Sequence, residues 1–240
     1  MPTRPRAHGA GAPLLRFDAA ERALHWSVAL LVLVLIGTGL LLYIPAAAAV
    51  VGHRLLVEDV HVLAGVLLPV PLVAALSGGG APQLRADLRR LDRVRREEWR
   101  WLRGLGRTGR DRLGKFNPGQ KLNAAVLSGA LGALFLSGLA LATSAALPLP
   151  WRIGATFVHD VMAAVVVVLV AGHVAMALAH PESLRSMIRG RISRGWAAVH
   201  APRWLAEEEA AQRRESDSSP ARHEHAAPGC AGDVPTPGPG

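Results

Sequence analysis

WRIGATFVHDVMAAVVVVLVAGHVAMALAH, residues 151–180, decides how the rest of the 240-residue chain is read. His159 and His173 interrupt this apolar stretch fourteen residues apart. At 1.5 Å rise and 100° per residue, fourteen steps climb about 21 Å and stop about 40° short of four full turns. The two imidazoles therefore face nearly the same way. Residues 161–172 between them are almost wholly Ala, Val and Leu, apolar and long enough to cross a hydrocarbon core of about 30 Å. One histidine then lies toward each face of that core. An ionisable side chain inside a spanning helix is costly and by default marks function. Two on one stripe suggest two stacked metal or haem sites; the alternative is a pair that merely hydrogen-bonds to neighbouring helices. The remaining helices decide between them.

Half of the residues are hydrophobic, the formal charge is +9 and the pI is about 11.3. The apolar residues are gathered into long blocks, which argues for a membrane protein. Cys230 is the one cysteine, which excludes disulfides, thiolate zinc sites and Fe–S clusters within the chain. It also excludes covalent haem attachment through C-x-x-C-H. A haem held here must be b-type.

Residues 1–20 carry Arg, Pro and Gly without periodicity and predict a flexible N-terminal segment. The first apolar block, 23–43, opens with Leu24-His25-Trp26. Its basic lead and the alanines at 46–49 imitate a secretory signal, but about twenty apolar residues exceed the 7–15 of a signal core, so a retained spanning helix is expected. A connection over 44–59 leads to a second block, 60–77, with His61 in its first turn and Pro69 and Pro71 predicting a kink. Residues 82–121 turn abruptly Arg-rich, with Trp99 and Trp101 among the charges, a loop of amphipathic helices at the lipid surface. The third block, 122–147, has Gly129, Gly132 and Gly138 in place of histidine, and small residues permit close approach of a helix or a flat cofactor. The fourth helix is expected over 154–180. A basic segment follows as far as Trp204, and 205–240 has the composition of a disordered tail. No convincing internal repeat stands out.

Arg and Lys crowd the N-terminal segment, the 82–121 loop and the stretch after His180, whereas the opposite connections hold little beyond Arg54 and Arg152. The positive-inside rule puts both termini and the long loop in the cytoplasm. Four helices, N-in and C-in, satisfy that count. The basic residues are thereby explained by topology and membrane lipid, and without a recognition motif they do not imply nucleic acid.

Depth then sorts the histidines. His25 starts an ascending helix and His173 ends a descending one, both at the cytoplasmic side, while His61 and His159 lie at the outer side. Two pairs at two depths suit two six-coordinate haems, each iron taking one axial ligand from either face. Mononuclear zinc would need three or four ligands at one depth. His53 and His180, at helix ends, and His8, His200, His223 and His225, in tails or surface segments, read as solvated or locally satisfied. Arg22 and Arg54 read as interfacial anchors or as partners of haem propionates. In Gly114-Lys115-Phe116-Asn117-Pro118-Gly119-Gln120-Lys121, Asn117 predicts a helix cap with Pro118 at the first helical position. Asn117 and Gln120 also offer amide donors at the depth of His173, where a quinone carbonyl could dock.

Leu24-His25-Trp26, the 114–121 stretch, and 187–194 with Trp196, His200, Pro202, Arg203 and Trp204 together resemble the gamma subunit of respiratory formate dehydrogenase, a membrane cytochrome b. The similarity covers roughly residues 16–204. It implies an all-α membrane domain over 21–204 in the bacterial inner membrane, with four transmembrane helices and cytoplasmic surface helices. By the same resemblance, His25 and His173 hold an inner b haem and His61 and His159 an outer one. Asn117, Gly119 and Gln120 beside His173 bind a quinone, menaquinone or ubiquinone. Pro118 stands where the family often has Ala, and Val62 where it often has Pro. The implied partners are an Fe–S beta subunit and a catalytic alpha subunit, with no formate chemistry in this chain. Cytochrome b subunits of nickel–iron hydrogenases and thiosulfate reductases share the four-helix plan. The alternative from another class is a non-haem membrane anchor or transporter whose histidines relay protons or pack.

Overall fold

The computed structural model describes residues 12–44, 46, 52–77, 82–93, 95–104, 106, 109 and 112–218. Among them are four helical segments long and apolar enough to cross a membrane: α1 (Ala19–Tyr43); α2 (Arg54–Leu67) continued by α3 (Val70–Ser77); α6 (Pro118–Ala142); and α7 (Leu149–Ala179). The short helices α4 (Pro82–Asp92) and α5 (Arg96–Arg103) lie between the second and third spans, as the Arg-rich composition predicts. After α7 come α8 (Pro181–Arg189), α9 (Arg194–His200) and α10 (Pro202–Ser218). The chain is an all-α bundle whose spanning helices leave most large side chains outward, Leu33, Leu136, Phe157 and Val168 among them. In water such a surface would be a liability; in lipid it is the solvent-matched one.

Each spanning helix starts earlier than its apolar block. Asp18 caps α1 by accepting from Glu21 N–H at 2.7 Å while Glu21 accepts from Asp18 N–H at 2.8 Å, a reciprocal capping box. The polar turn 19–22 thereby joins the helix. Arg54, Glu58 and Asp59 similarly extend the second span, so His61 sits two turns inside it and not in its first turn. Pro150 and Pro118 open α7 and α6 within their first two positions. The kink forms as expected. Pro69 cannot donate to Gly65, and the Gly65 carbonyl accepts from Leu68 N–H instead, at 3.2 Å. The third helix stops short of 147, because Thr143 ends it and a one-turn 3₁₀ helix, Ser144–Ala146, precedes Pro148.

The segment expected to be flexible, 1–20, and the one expected to be disordered, 205–240, both carry structure among their described residues. Leu14–Leu15 (β1) pairs antiparallel with Arg191–Ile192 (β2), and Arg16 and Phe17 N–H both donate to the Gly190 carbonyl, at 2.8 and 3.0 Å. Gly190 has φ of 81° and ends α8; a Cβ there would run into Arg22 and the Phe17 carbonyl, so glycine is required twice over. Residues 1–11 and 219–240 lie outside the described residues. The chain divides after Leu205, and 206–218 continue as helix. Ala, Glu, Gln and Arg dominate that stretch, and helix propensity there outweighs the low hydrophobicity that suggested disorder.

Two apolar cores form among the described residues. Leu14, Ile192, Ala197, Ala201 and Trp204 pack where the strands meet the terminal helices. Val32, Ala130 and Val166 form the other, between α1, α6 and α7. Val166 is seven residues from His159 and seven from His173, so this layer lies midway between the two histidine levels.

Candidate functional site

The bundle brings the four intramembrane histidines together in two pairs. His25 of α1 and His173 of α7 have ring centres 6.1 Å apart; His61 of α2 and His159 of α7 have ring centres 6.2 Å apart. Fourteen residues of α7 separate the two levels by about 21 Å, and the thirteen residues of α1 from His25 to Thr38, which touches His61, give about 20 Å. Two helices thus measure the same spacing independently.

The separation within each pair fits a metal between two trans imidazoles. A metal–nitrogen bond of about 2.0–2.1 Å, with about 1.2 Å from nitrogen to ring centre, places such rings about 6.4 Å apart. No group of three or more His, Cys, Asp or Glu gathers as a metal site among the described residues, unlike a mononuclear zinc centre. Six-coordinate haem, with two protein ligands, asks for no third. At the His61–His159 level the helix backbone comes close. A Cβ on Gly39 would stand 3.4 Å from His61 Cε1, and one on Gly138 3.2 Å from His159 Cε1.

The rings of this level are held by hydroxyls that sequence inspection passes over. Thr38 Oγ1 lies 2.8 Å from His61 Nδ1, and Ser137 Oγ lies 3.0 Å from His159 Nδ1. Thr38-Gly39 precedes His61, and Ser137-Gly138 precedes His159, at nearly equal separations along the chain. The two helical hairpins therefore repeat one local device, the trace of a repeat that whole-sequence inspection does not show. Neither His25 nor His173 makes a hydrogen bond among the described residues; His25 packs edge-on against Trp26, ring centres 5.2 Å apart.

The remaining described histidines are satisfied locally or exposed. His180 and His200 each place Nδ1 on a carbonyl four residues back, at 2.9 and 3.1 Å, and His200 stacks on Trp196. His53 is exposed at the start of α2. His8, His223 and His225 lie outside the described residues.

Asn117 and Gln120 form the expected cap of α6. Asn117 Oδ1 accepts from Gln120 N–H at 2.9 Å and Gln120 Oε1 accepts from Asn117 N–H at 3.0 Å. Among the described residues their amide nitrogens have no hydrogen-bond partner. A Cβ on Gly119 would meet Asn117 Oδ1 at 3.3 Å and the Trp101 ring at 3.6 Å. A cavity of about 610 Å³ opens beside this helix start, lined by Trp101, Pro118 and several arginines; Asn117, Gly119 and Gln120 do not line it.

Lys115 and Lys121 of the same motif anchor the surface helices. Lys115 Nζ is fully buried, paired with Asp87 and 3.6 Å from Glu21. Lys121 Nζ donates to Glu98 at 2.6 Å and to the Arg93 carbonyl at 2.7 Å. Arg16, 2% exposed, donates to Ser183 and Ser186 and lies 4.5 Å from the Trp196 ring. Burial pushes its guanidinium down to about 10, partly offset by the Asp87 carboxylate. Residue types alone gave no warning of this cluster, because surface charge runs look identical before folding.

No curated protein matches the chain. The family model described as prokaryotic cytochrome b561 matches residues 16–190, a span bounded by the two residues, Arg16 and Gly190, whose backbone hydrogen bond joins the ends of the bundle. The chain belongs to the prokaryotic cytochrome b561 family, and is a multi-pass membrane cytochrome b that binds b-type haem and carries electrons for redox-enzyme subunits.

Proposed function

We propose that the chain carries two b haems, the inner between His25 and His173 and the outer between His61 and His159, and conducts electrons through them to a quinone. The observation that carries this proposal is the pair of ring separations, 6.1 and 6.2 Å, at two levels about 20 Å apart. Bound haem would supply one-electron redox chemistry, and His25, His173, His61 and His159 would be the residues that hold its iron. The helices orient the rings, exclude water and keep the two levels in line.

The quinone site at Asn117, Gly119 and Gln120 rests on the amide donors left over by the cap and on His173. By helix rise, counted from the Ser137–His159 contact, Gln120 lies about 4–5 Å and Asn117 about 9 Å beyond His173. A quinone ring bridges such a distance. His173, with no hydrogen bond of its own among the described residues, offers one nitrogen to iron and one to a quinone oxygen.

Both termini and the 82–121 segment are cytoplasmic by the distribution of Arg and Lys. An electron donor then docks on the opposite connections, near 44–59 and 148–152. The motif resemblance names it as the Fe–S beta subunit of formate dehydrogenase with its catalytic alpha subunit; a nickel–iron hydrogenase is the second candidate. Purification of the intact complex from native membranes tests this. Formate is expected to reduce both haems. Reduction by hydrogen and not by formate assigns the chain to a hydrogenase, and a complex containing no Fe–S subunit contradicts the docking scheme.

A further inference from the structure

We infer that Thr38 and Ser137 are positioning residues that fix the proton of the outer histidines on Nδ1 and hold the outer haem at a lower potential than the inner. This rests on the two-haem proposal above.

Each hydroxyl lies on its own helix carbonyl as well as on the imidazole. Thr38 Oγ1 donates to Val34 O and Ser137 Oγ to Ala133 O, both at 2.7 Å. A hydroxyl has one proton. With that proton given to the carbonyl, the oxygen can only accept from the imidazole, so Nδ1 carries the hydrogen and Nε2 presents its lone pair inward. The carbonyls of Leu35 and Leu134 stand 3.3 and 3.2 Å from the same two hydroxyls, and a carbonyl too can only accept. A hydroxyl polarised by donating is also the stronger acceptor.

Drawing on Nδ1–H makes Nε2 a more basic ligand. A more electron-rich ligand stabilises ferric over ferrous iron and lowers the potential, one of the levers by which proteins set haem chemistry. The inner pair has no such acceptor among the described residues. The asymmetry makes the step from outer to inner downhill, toward the end that holds Asn117 and Gln120. His61 and His159 keep their Nδ1 protons throughout, because passing one electron from ferrous outer iron to ferric inner iron moves no proton. Recurrence argues for design over accident: two different helices present a hydroxyl followed by a glycine, and each glycine lets the same histidine ring seat against the backbone.

Equilibrium redox titration of the purified full chain, followed by its visible absorption, tests the inference. The wild type should titrate in two waves, and His61→Ala should remove the lower one. Thr38→Val and Ser137→Ala should each raise the lower wave and leave the upper in place, with the double variant shifting further. Thr38→Ser and Ser137→Thr, which keep the hydroxyl, should restore the wild-type value; loss of packing alone would not discriminate in this way. The inference is overturned if both variants retain two haems and neither wave moves, if both waves move alike, or if the shift falls on the wave that survives His61→Ala. In those cases the two-haem proposal stands. A wild-type chain that binds no haem overturns both.

Discussion

The rings of His25 and His173 stand 6.1 Å apart, centre to centre, on the first and fourth spanning helices, and no hydrogen bond reaches either one among the described residues. Replacing His173 by Ala is therefore expected to remove the inner haem and quinone reduction together. His61→Ala should remove only the outer haem and leave binding of a quinone-analogue inhibitor intact. Haem content and inhibitor titration on the same preparations check both outcomes. Inhibitor binding that survives loss of His173 but disappears with His61 would put the quinone at the other level.

Asn117 caps α6 and, in the proposed quinone site, also supplies an amide donor; one substitution separates the two. Asn117→Asp keeps the oxygen that caps α6 and removes the amide donor, so stability should hold while quinone reduction slows. Asn117→Ala loses both, with about 1 kcal/mol of helix stability in addition. Thermal melting and quinone-reduction rates, measured side by side, distinguish them. Equal rates for Asn117→Asp and wild type would leave Asn117 as a cap alone.

Lys115 is enclosed by Asp87 and Glu21, with no exposed side-chain surface of its own. Lys115→Met takes the buried cation away from Asp87 and Glu21 and leaves Asp87 only its half-exposed partner Arg90, and breaking a buried pair from one side costs about 3–5 kcal/mol. The melting temperature of the detergent-solubilised protein should fall well below wild type. Replacing Asp87 and Glu21 by their amides in the same chain should recover much of the loss. A Lys115→Met protein that melts with wild type would mean the pair contributes nothing.

Reporter fusions after Trp204 and within 82–121 should both report the cytoplasm, following the positive-inside rule. A periplasmic signal from either one would invert the inner and outer assignments.

The four spans were legible because long apolar blocks are a lipid signal, and depth alone indicated which histidines approach one another. The cap at Asn117 was legible too, since cap, proline and glutamine occur at the required spacing. Helix starts were not. Hydropathy marks the lipid-embedded part, whereas Asp18 and Glu21, or Arg54 and Glu58, extend a helix with polar turns. The β1–β2 pair and the buried Arg16 depend on contacts across most of the chain, which no local pattern encodes. Thr38 and Ser137 hid for a different reason. A hydroxyl in a helix bonds its own carbonyl as a matter of course, so its second bond to a histidine appears only once the neighbouring helix is present. The one available signal was a hydroxyl–glycine pair recurring at nearly the same distance before His61 and before His159.

The most direct measurement is the number of haems per chain, from pyridine haemochrome absorbance against protein concentration, together with the low-temperature spectrum of the ferric form. Two histidine pairs predict two low-spin b haems, falling to one with either His61→Ala or His25→Ala. One haem in the wild type, or none, would contradict the pairing at its root.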